Sequence, residues 1–253
     1  MISEKIYFVL LYGWIIAAIV IFPVLLRVTA PYGRHTTNTW GPTLSNRWAW
    51  FFMELPILFI FSWFFFKGNG EKGLPQYIFY GLFMAHYFHR VFIYPFRLKD
   101  NGKRMPLVIV AMALFFNFAN GFFNGYWFGV LSPVYGNDWF TGWRFITGLI
   151  LFIAGMYINI SSDQILLNLR KGGKKGYYIP YGGLFGYVSS PNLLGEIIEW
   201  TGWAIMSWCL PSFSFALWTM ANLVPRALDH HRWYKKRFPH YPVNRKALIP
   251  FIL

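Results

Sequence analysis

The chain has 253 residues, of which 56% are hydrophobic, 23% aromatic and only 13% charged, with a formal net charge of +14. Apolar runs of about 20 residues, each long enough to cross a hydrocarbon core of roughly 30 Å as a helix, recur from end to end and exclude an ordinary soluble domain. They also displace the nucleic-acid reading that the basic excess would otherwise invite, because the positive residues fall between the runs.

The first run, 6–27, lacks a basic n-region and a small-residue cleavage site, so it reads as a retained anchor rather than a signal peptide. Further helices are expected over 47–66, 74–96, 106–131, 143–169, 193–210 and 212–235, giving a single all-α membrane domain of seven spans over 1–253. Arg27, Arg34 and Arg47 follow the first span; Arg97, Lys99, Lys103 and Arg104 follow the third; Arg170, Lys171, Lys174 and Lys175 follow the fifth. The tail adds Arg232, Lys235, Lys236, Arg237, Arg245 and Lys246, whereas the loops at 68–73 and 132–138 are nearly neutral. By the positive-inside rule the N-terminus lies outside and the C-terminus in the cytosol. Pro211 breaks the last two spans apart. The Gly-rich stretch at 170–190 carries too much Tyr and Phe for a flexible linker and is expected to be a structured loop. Cys209, the single cysteine, rules out an internal disulfide.

An ionisable group in hydrocarbon costs roughly 2.5 to 3.5 kcal/mol even on the lenient insertion scale, so each one inside a span needs a reason. Glu54 lies in the second span and His86, Tyr87, His89 and Arg90 in the third. Asn117, Asn120 and Asn124 share one face of the fourth. Asn159 and Asp163 follow in the fifth, Asn192, Glu196 and Glu199 in the sixth, and Arg226, Asp229, His230, His231 and Tyr234 near the cytosolic end of the last. Packed together they would make an Arg- and Asn-rich chamber open to the cytosol, with one carboxylic acid at its inner limit. Arg170 and Arg226 suit a phosphate, and Asn159, Asp163, Asn192 and Glu196 suit ribose and carboxamide groups. No G-x-G-x-x-G follows a strand, so any dinucleotide would be held by helices.

Each of these residues also has a plainer role. A membrane asparagine is often interhelical glue. Glu199 would pair with a cytosolic Arg or orient another helix, and Arg90 and Arg97 would anchor at the headgroups. His86 and His89 lack a third ligand, and His230 and His231, being adjacent, face apart, so no metal site is expected.

HYFHR at 86–90, Glu-Leu-Pro at 54–56, NISSDQILLNLR at 159–170, IPYGGLFGYVSSPNLLGEIIEW at 179–200 and RALDHHRWYKKRFPHYPVNRKALIPFIL at 226–253 together resemble the steroid 5α-reductases. The resemblance implies a seven-helix membrane enzyme that uses NADPH to reduce the 4,5 double bond of 3-oxo-4-ene steroids. It implies that Glu54 and Tyr87 bond the 3-oxo group, and that Asn159, Asp163, Arg170, Tyr177, Asn192, Glu196, Arg226, His230 and Tyr234 contact the cofactor. Asn120 joins them as a candidate contact. On this reading residues 1–105 form mainly the substrate side and 106–253 mainly the cofactor side. Vertebrate steroid-reducing members carry Gln before the catalytic Glu, where this chain has Met53, and Tyr181 likewise stands where Gln is common.

The chemistry makes its own demand. Hydride adds to an alkene only if the resulting charge has somewhere to go, and a conjugated carbonyl collects it as an enolate, so the site must hold donors at that oxygen. Glu54, desolvated as a neutral acid, and Tyr87 are such donors, by analogy with the paired acid and tyrosine of ketosteroid isomerase. The substrate is expected to enter from the bilayer and the chain to act as a monomer in a bacterial or endoplasmic-reticulum membrane. Rival readings are reduction of an enoyl thioester or polyprenol, a membrane methyltransferase, and a transporter, which should show inverted repeats or broken helices in both halves.

Overall fold

A computed structural model describes residues 2–35, 40–98, 102–169 and 176–253. Helix dominates, and the long helices fall where the apolar runs place them: α1 (Glu4–Leu25), α2 (Asn46–Lys67), α3 (Leu74–Phe88), α5 (Leu107–Tyr126), α6 (Trp143–Asn168), α7 (Pro191–Ser207) and α8 (Leu210–Arg237). A short helix, α4 (Tyr94–Arg97), follows α3 after a π-helical turn at His89–Ile93, and a second π-helical turn, Trp127–Leu131, extends α5. Four segments are long and apolar enough to cross a membrane by themselves: α1, α2, α5 with its π-helical extension, and α6.

Local chemistry sets the ends. The Ser3 hydroxyl accepts from the Ile6 N–H at the start of α1. Gln76 accepts from the Gly73 N–H at 2.7 Å and so closes the first turn of α3, with Pro75 beside it. The same side chain donates to Ser132 at 2.7 Å, tying the loop after α5 to the start of α3. Pro211 sits in the first turn of α8, just after Trp208 has turned the chain through a left-handed conformation.

One feature departs from the all-helical expectation. Thr43–Ser45 (β1) pairs antiparallel with Arg104–Pro106 (β2), with Thr43 opposite Pro106. Three residues in each strand are too few to show an alternating pattern, and the partners are distant in sequence, so neither could be read ahead. The ribbon staples the approach to α2 onto the approach to α5, and it puts Glu54 opposite the asparagine face of α5.

Helices α6 and α7 cross through small residues, Gly148 and Gly155 on one and Gly195 and Gly202 on the other. A methyl on Gly155 would lie 2.5 Å from the Gly195 carbonyl, and one on Gly202 would lie 2.5 Å from the Phe152 nitrogen. The close approach fixes the register that brings Asn159 and Asp163 beside Asn192. The aromatic core beneath runs from Phe61, Phe79 and Phe83 to Trp200, Trp203 and Phe215, with Trp200 only 4.5 Å from Phe215 in an edge-to-face pair. Described residues of the 170–190 stretch are ordered: Gly182 and Gly183 take positive φ ahead of a 3₁₀ turn at Gly183–Gly186, and the Ser189 N–H donates to the Lys246 carbonyl of the folded-back tail.

Candidate active site

Glu54 lies on α2 two residues before Pro56, whose missing N–H leaves the Phe52 carbonyl without its helical donor and loosens this turn. Facing it, the Asn117 amide of α5 donates to the Met53 carbonyl at 2.6 Å and to Glu54 Oε2 at 3.1 Å. The Met53 side chain turns away into an apolar cluster with Ala49, Met105 and Val110. Tyr87, buried at the end of α3, packs its ring 4.9 Å from Phe83 and 5.8 Å from Trp200. Among the described residues, none hydrogen-bonds the Tyr87 hydroxyl or the Glu196 carboxylate, and Glu54 has Asn117 alone. Glu54, His86, Arg90 and Glu196 interact electrostatically with one another, so the acid, the phenol's neighbours and the cation form one cluster.

Behind Tyr87, His86 Nδ1 meets Glu199 Oε1 at 2.7 Å, and the His86 ring lies 4.6 Å from Trp200. Glu199 therefore orients another helix, as the sequence allowed, through a histidine rather than an arginine. Arg90 corrects an expectation. It is no headgroup anchor: it is buried, stacked 4.6 Å from both Trp50 and Tyr94, and paired with Asp163 at 3.6 Å. The π-helical turn that begins at His89 is the local cause, because the extra residue re-aims the helix face just after Tyr87. Asp163 also accepts from the Asn192 amide at 3.0 Å, and Asn159 donates to the Asn192 carbonyl at 2.9 Å, so α3, α6 and α7 meet in one polar relay.

A second, basic cluster lies toward the loops. Arg226 donates to the Ala30 and Tyr32 carbonyls at 2.8 and 2.6 Å and sits 3.7 Å over the Tyr32 ring. In this structure it thus holds the segment after α1. Arg34 lies over Tyr234 at 4.5 Å and near Tyr177 at 5.9 Å, and His35 stacks on His230 at 5.7 Å. Burial, then Arg226 and Arg34 nearby, push His35 from 6.5 down to about 4, leaving it neutral among cations. Tyr234 stacks on Tyr241 at 5.2 Å, and Arg245 is sandwiched between Tyr241 and Tyr181. The Arg34 Nη1, Arg245 Nε and Arg245 Nη1 atoms are buried without a hydrogen-bond partner among the described residues. Orphaned guanidinium donors of this kind suit an anionic ligand.

Two candidates fall elsewhere. Asn120 is engaged by α1, accepting from the Trp14 indole at 3.3 Å and donating to the Phe116 carbonyl at 2.8 Å, which makes it glue between helices in this structure. Arg170 lies outside the described residues. Arg34 and Arg245 carried no site role in the sequence, and His86 and Arg90 entered only as polar groups of the expected chamber without an assigned role; the signal available for Arg90 was its position one turn after His86 on a span too polar to face lipid. Among the described residues no group of three or more His, Cys, Asp or Glu is arranged to hold a metal.

Comparison with known proteins bears on this arrangement. The sequence model of the 3-oxo-5-alpha-steroid 4-dehydrogenase family matches residues 103–253. The steroid 5-alpha-reductase DET2 of Arabidopsis thaliana is 44% identical over 237 residues, covering 90% of each chain, and that of Gossypium hirsutum is 42% identical over 232 residues, again 90% of each. The 3-oxo-5-alpha-steroid 4-dehydrogenase 2 of Rattus norvegicus is 45% identical over 229 residues, 88% of each chain. With apolar helices of membrane-crossing length and similarity across nine-tenths of its length, the chain is a multi-pass membrane oxidoreductase that belongs to the steroid 5-alpha-reductase family.

Proposed function

We propose that the protein reduces the 4,5 double bond of 3-oxo-4-ene steroids, with NADPH as the reductant. The observation that carries this reading is the open acid and phenol: Glu54 and Tyr87 stand in one electrostatic cluster amid apolar helices, and protein groups leave the Tyr87 hydroxyl and one Glu54 oxygen unbonded among the described residues. Burial of such groups is costly unless a ligand meets them.

Bound NADPH would supply a hydride to the β carbon of the enone. Glu196, with Asn159, Asp163 and Asn192 around it, would hold the carboxamide and ribose end, and Arg34, Arg226, Tyr177, His230, Tyr234 and the Arg245 donors left unbonded among the described residues would hold the phosphate-bearing end. Glu54 and Tyr87 donate hydrogen bonds to the ketone oxygen, where negative charge gathers as the double bond shifts. Both strengthen as that charge grows, which is the condition for lowering the barrier rather than merely binding substrate. Water or a nearby group then gives the adjacent carbon a proton, and the ketone is restored. Met53 in place of Gln leaves substrate orientation to Glu54, Tyr87 and the walls.

All seven long helices would cross the bilayer, with the N-terminus outside and the basic loops in the cytosol. The substrate would enter from the lipid and the chain act as a monomer. Purified protein in detergent is expected to oxidise NADPH when given testosterone or progesterone, and not when given an enoyl-CoA. Turnover of the enoyl-CoA alone, or binding of S-adenosylmethionine in place of NADPH, would overturn the proposal.

A further inference from the structure

We infer that Asn117 is a positioning residue that decides which oxygen of Glu54 presents its proton to the ketone. The inference rests on the reading of Glu54 as the acid that grips the substrate oxygen.

Its basis is one buried amide, 3% exposed, set between two acceptors. The Met53 carbonyl, 2.6 Å away, can only accept, so the nitrogen end of the amide must face it. Oxygen and nitrogen of the side chain are thereby assigned by chemistry. The second N–H of the same nitrogen is left for Glu54 Oε2 at 3.1 Å. In a protonated carboxyl the carbonyl-type oxygen is the better acceptor and the other oxygen carries the hydrogen. With Oε2 committed to the amide, the proton resides on Oε1. A neutral donor is the right choice here, since a Lys or Arg side chain at this position would hold the carboxyl as an anion with nothing to donate.

Neighbouring residues cannot do this. Asn120 is taken by Trp14, and Asn124 donates to the Asn120 carbonyl at 2.9 Å. The side chain of Met53, next to the acid, is buried in the apolar cluster with Met105. Of the three asparagines on one face of α5, only Asn117 reaches the acid.

The test uses the full chain in detergent, with saturating NADPH and an enone steroid. Asn117→Leu is expected to lower kcat by about tenfold, the worth of one hydrogen bond to an acidic group, with the NADPH dissociation constant unchanged. Asn117→Asp, nearly the same size, serves if the Leu variant does not fold. The carboxyl introduced there, when protonated, would still donate to the Met53 carbonyl, but its other oxygen would draw the Glu54 proton onto Oε2, so kcat should fall at least as far. Either variant folded, cofactor-bound and turning over at the wild-type kcat overturns the inference. So does a loss confined to NADPH affinity with kcat intact, which would mark Asn117 as packing. Glu54→Gln run alongside separates the two levels: if that variant keeps its turnover, the reading of Glu54 has failed; if it is inactive while the Asn117 variants run at full speed, only the role of Asn117 has.

Discussion

The pair His86 and Glu199 offers the sharpest energetic test of the fold around the site. Glu199 has no exposed surface, its Oε1 meets His86 Nδ1 at 2.7 Å, and its Oε2 is buried without any partner among the described residues. His86→Phe keeps a ring against Trp200 and Tyr87 and deletes the one side-chain hydrogen bond Glu199 makes among the described residues. Removing one partner of a buried hydrogen-bonded pair in this way costs about 1–3 kcal/mol, because the other is left desolvated and unsatisfied. Glu199→Met should cost a similar amount, since the imidazole is the group then orphaned. The double variant replaces both polar groups by apolar ones of similar size and should regain most of the loss, giving a coupling of about 1–2 kcal/mol. Denaturant unfolding in micelles, followed by tryptophan fluorescence, measures all four corners of the cycle. Strict additivity, or a His86→Phe variant within about 0.5 kcal/mol of wild type, would show that the pair does not bear on stability and that its short contact is incidental.

Glu54→Gln is expected to remove most steroid turnover with NADPH affinity intact, checked by single-turnover kinetics beside cofactor titration; near-normal turnover refutes the role. Arg226→Ala should release the Ala30 and Tyr32 carbonyls as well as weaken NADPH binding, so limited proteolysis should cut near Ala30 faster than in wild type. His35, held at about 4 in the folded state against 6.5 when unfolded, contributes stability that is complete above about 6.5 and lost as the pH falls toward 4. His35→Phe, which keeps the stack on His230, should therefore flatten the acid limb of the unfolding midpoint, and identical limbs would contradict the burial. Gly155→Leu should separate α6 from α7 and abolish folded yield, measured by monodispersity in detergent, while Gly13→Leu, on the lipid-facing side with no heavy atom near, should not.

Helix positions were legible because a run of about 20 apolar residues has few other fates. The polar relay was legible in part, since Glu54, Tyr87, Asp163, Asn192 and Glu196 each violate the apolarity of their span and must meet something. Partnership was not legible. Arg90 looked like a headgroup anchor because a π-helical turn and the flanking Trp50 and Tyr94 rings leave no local sequence pattern of their own. The fourth-span asparagines share one face by spacing, yet Asn117 meets an acid and Asn120 an indole, because α2 and α1 reach that face at different depths. The seven-residue glycine spacing, 148 to 155 on α6 and 195 to 202 on α7, was present in the sequence and is intelligible only once the two helices are seen to cross.

The helices that carry most of the site are also the ones that do not pass as membrane spans by themselves. Helix α3 has 15 residues before its π-helical turn, α7 has 17, and α8, though 28 residues long, carries Arg226, Asp229 and two histidines in its C-terminal part. Segments of this kind would be poor solitary residents of a bilayer, because their polar groups would lack partners there. They are tolerable because α1, α2, α5 and α6, the strongly apolar helices, shield them, and because His86 answers Glu199, Arg90 answers Asp163 and Asn117 answers Glu54. The shortfall in apolarity thus points to the site from the sequence side, and the pairing of charges explains it from the structural side. Glu196, the Tyr87 hydroxyl and the orphaned Arg245 donors have no such answer among the described residues, and in the function proposed above it is the cofactor and the ketone that would supply one.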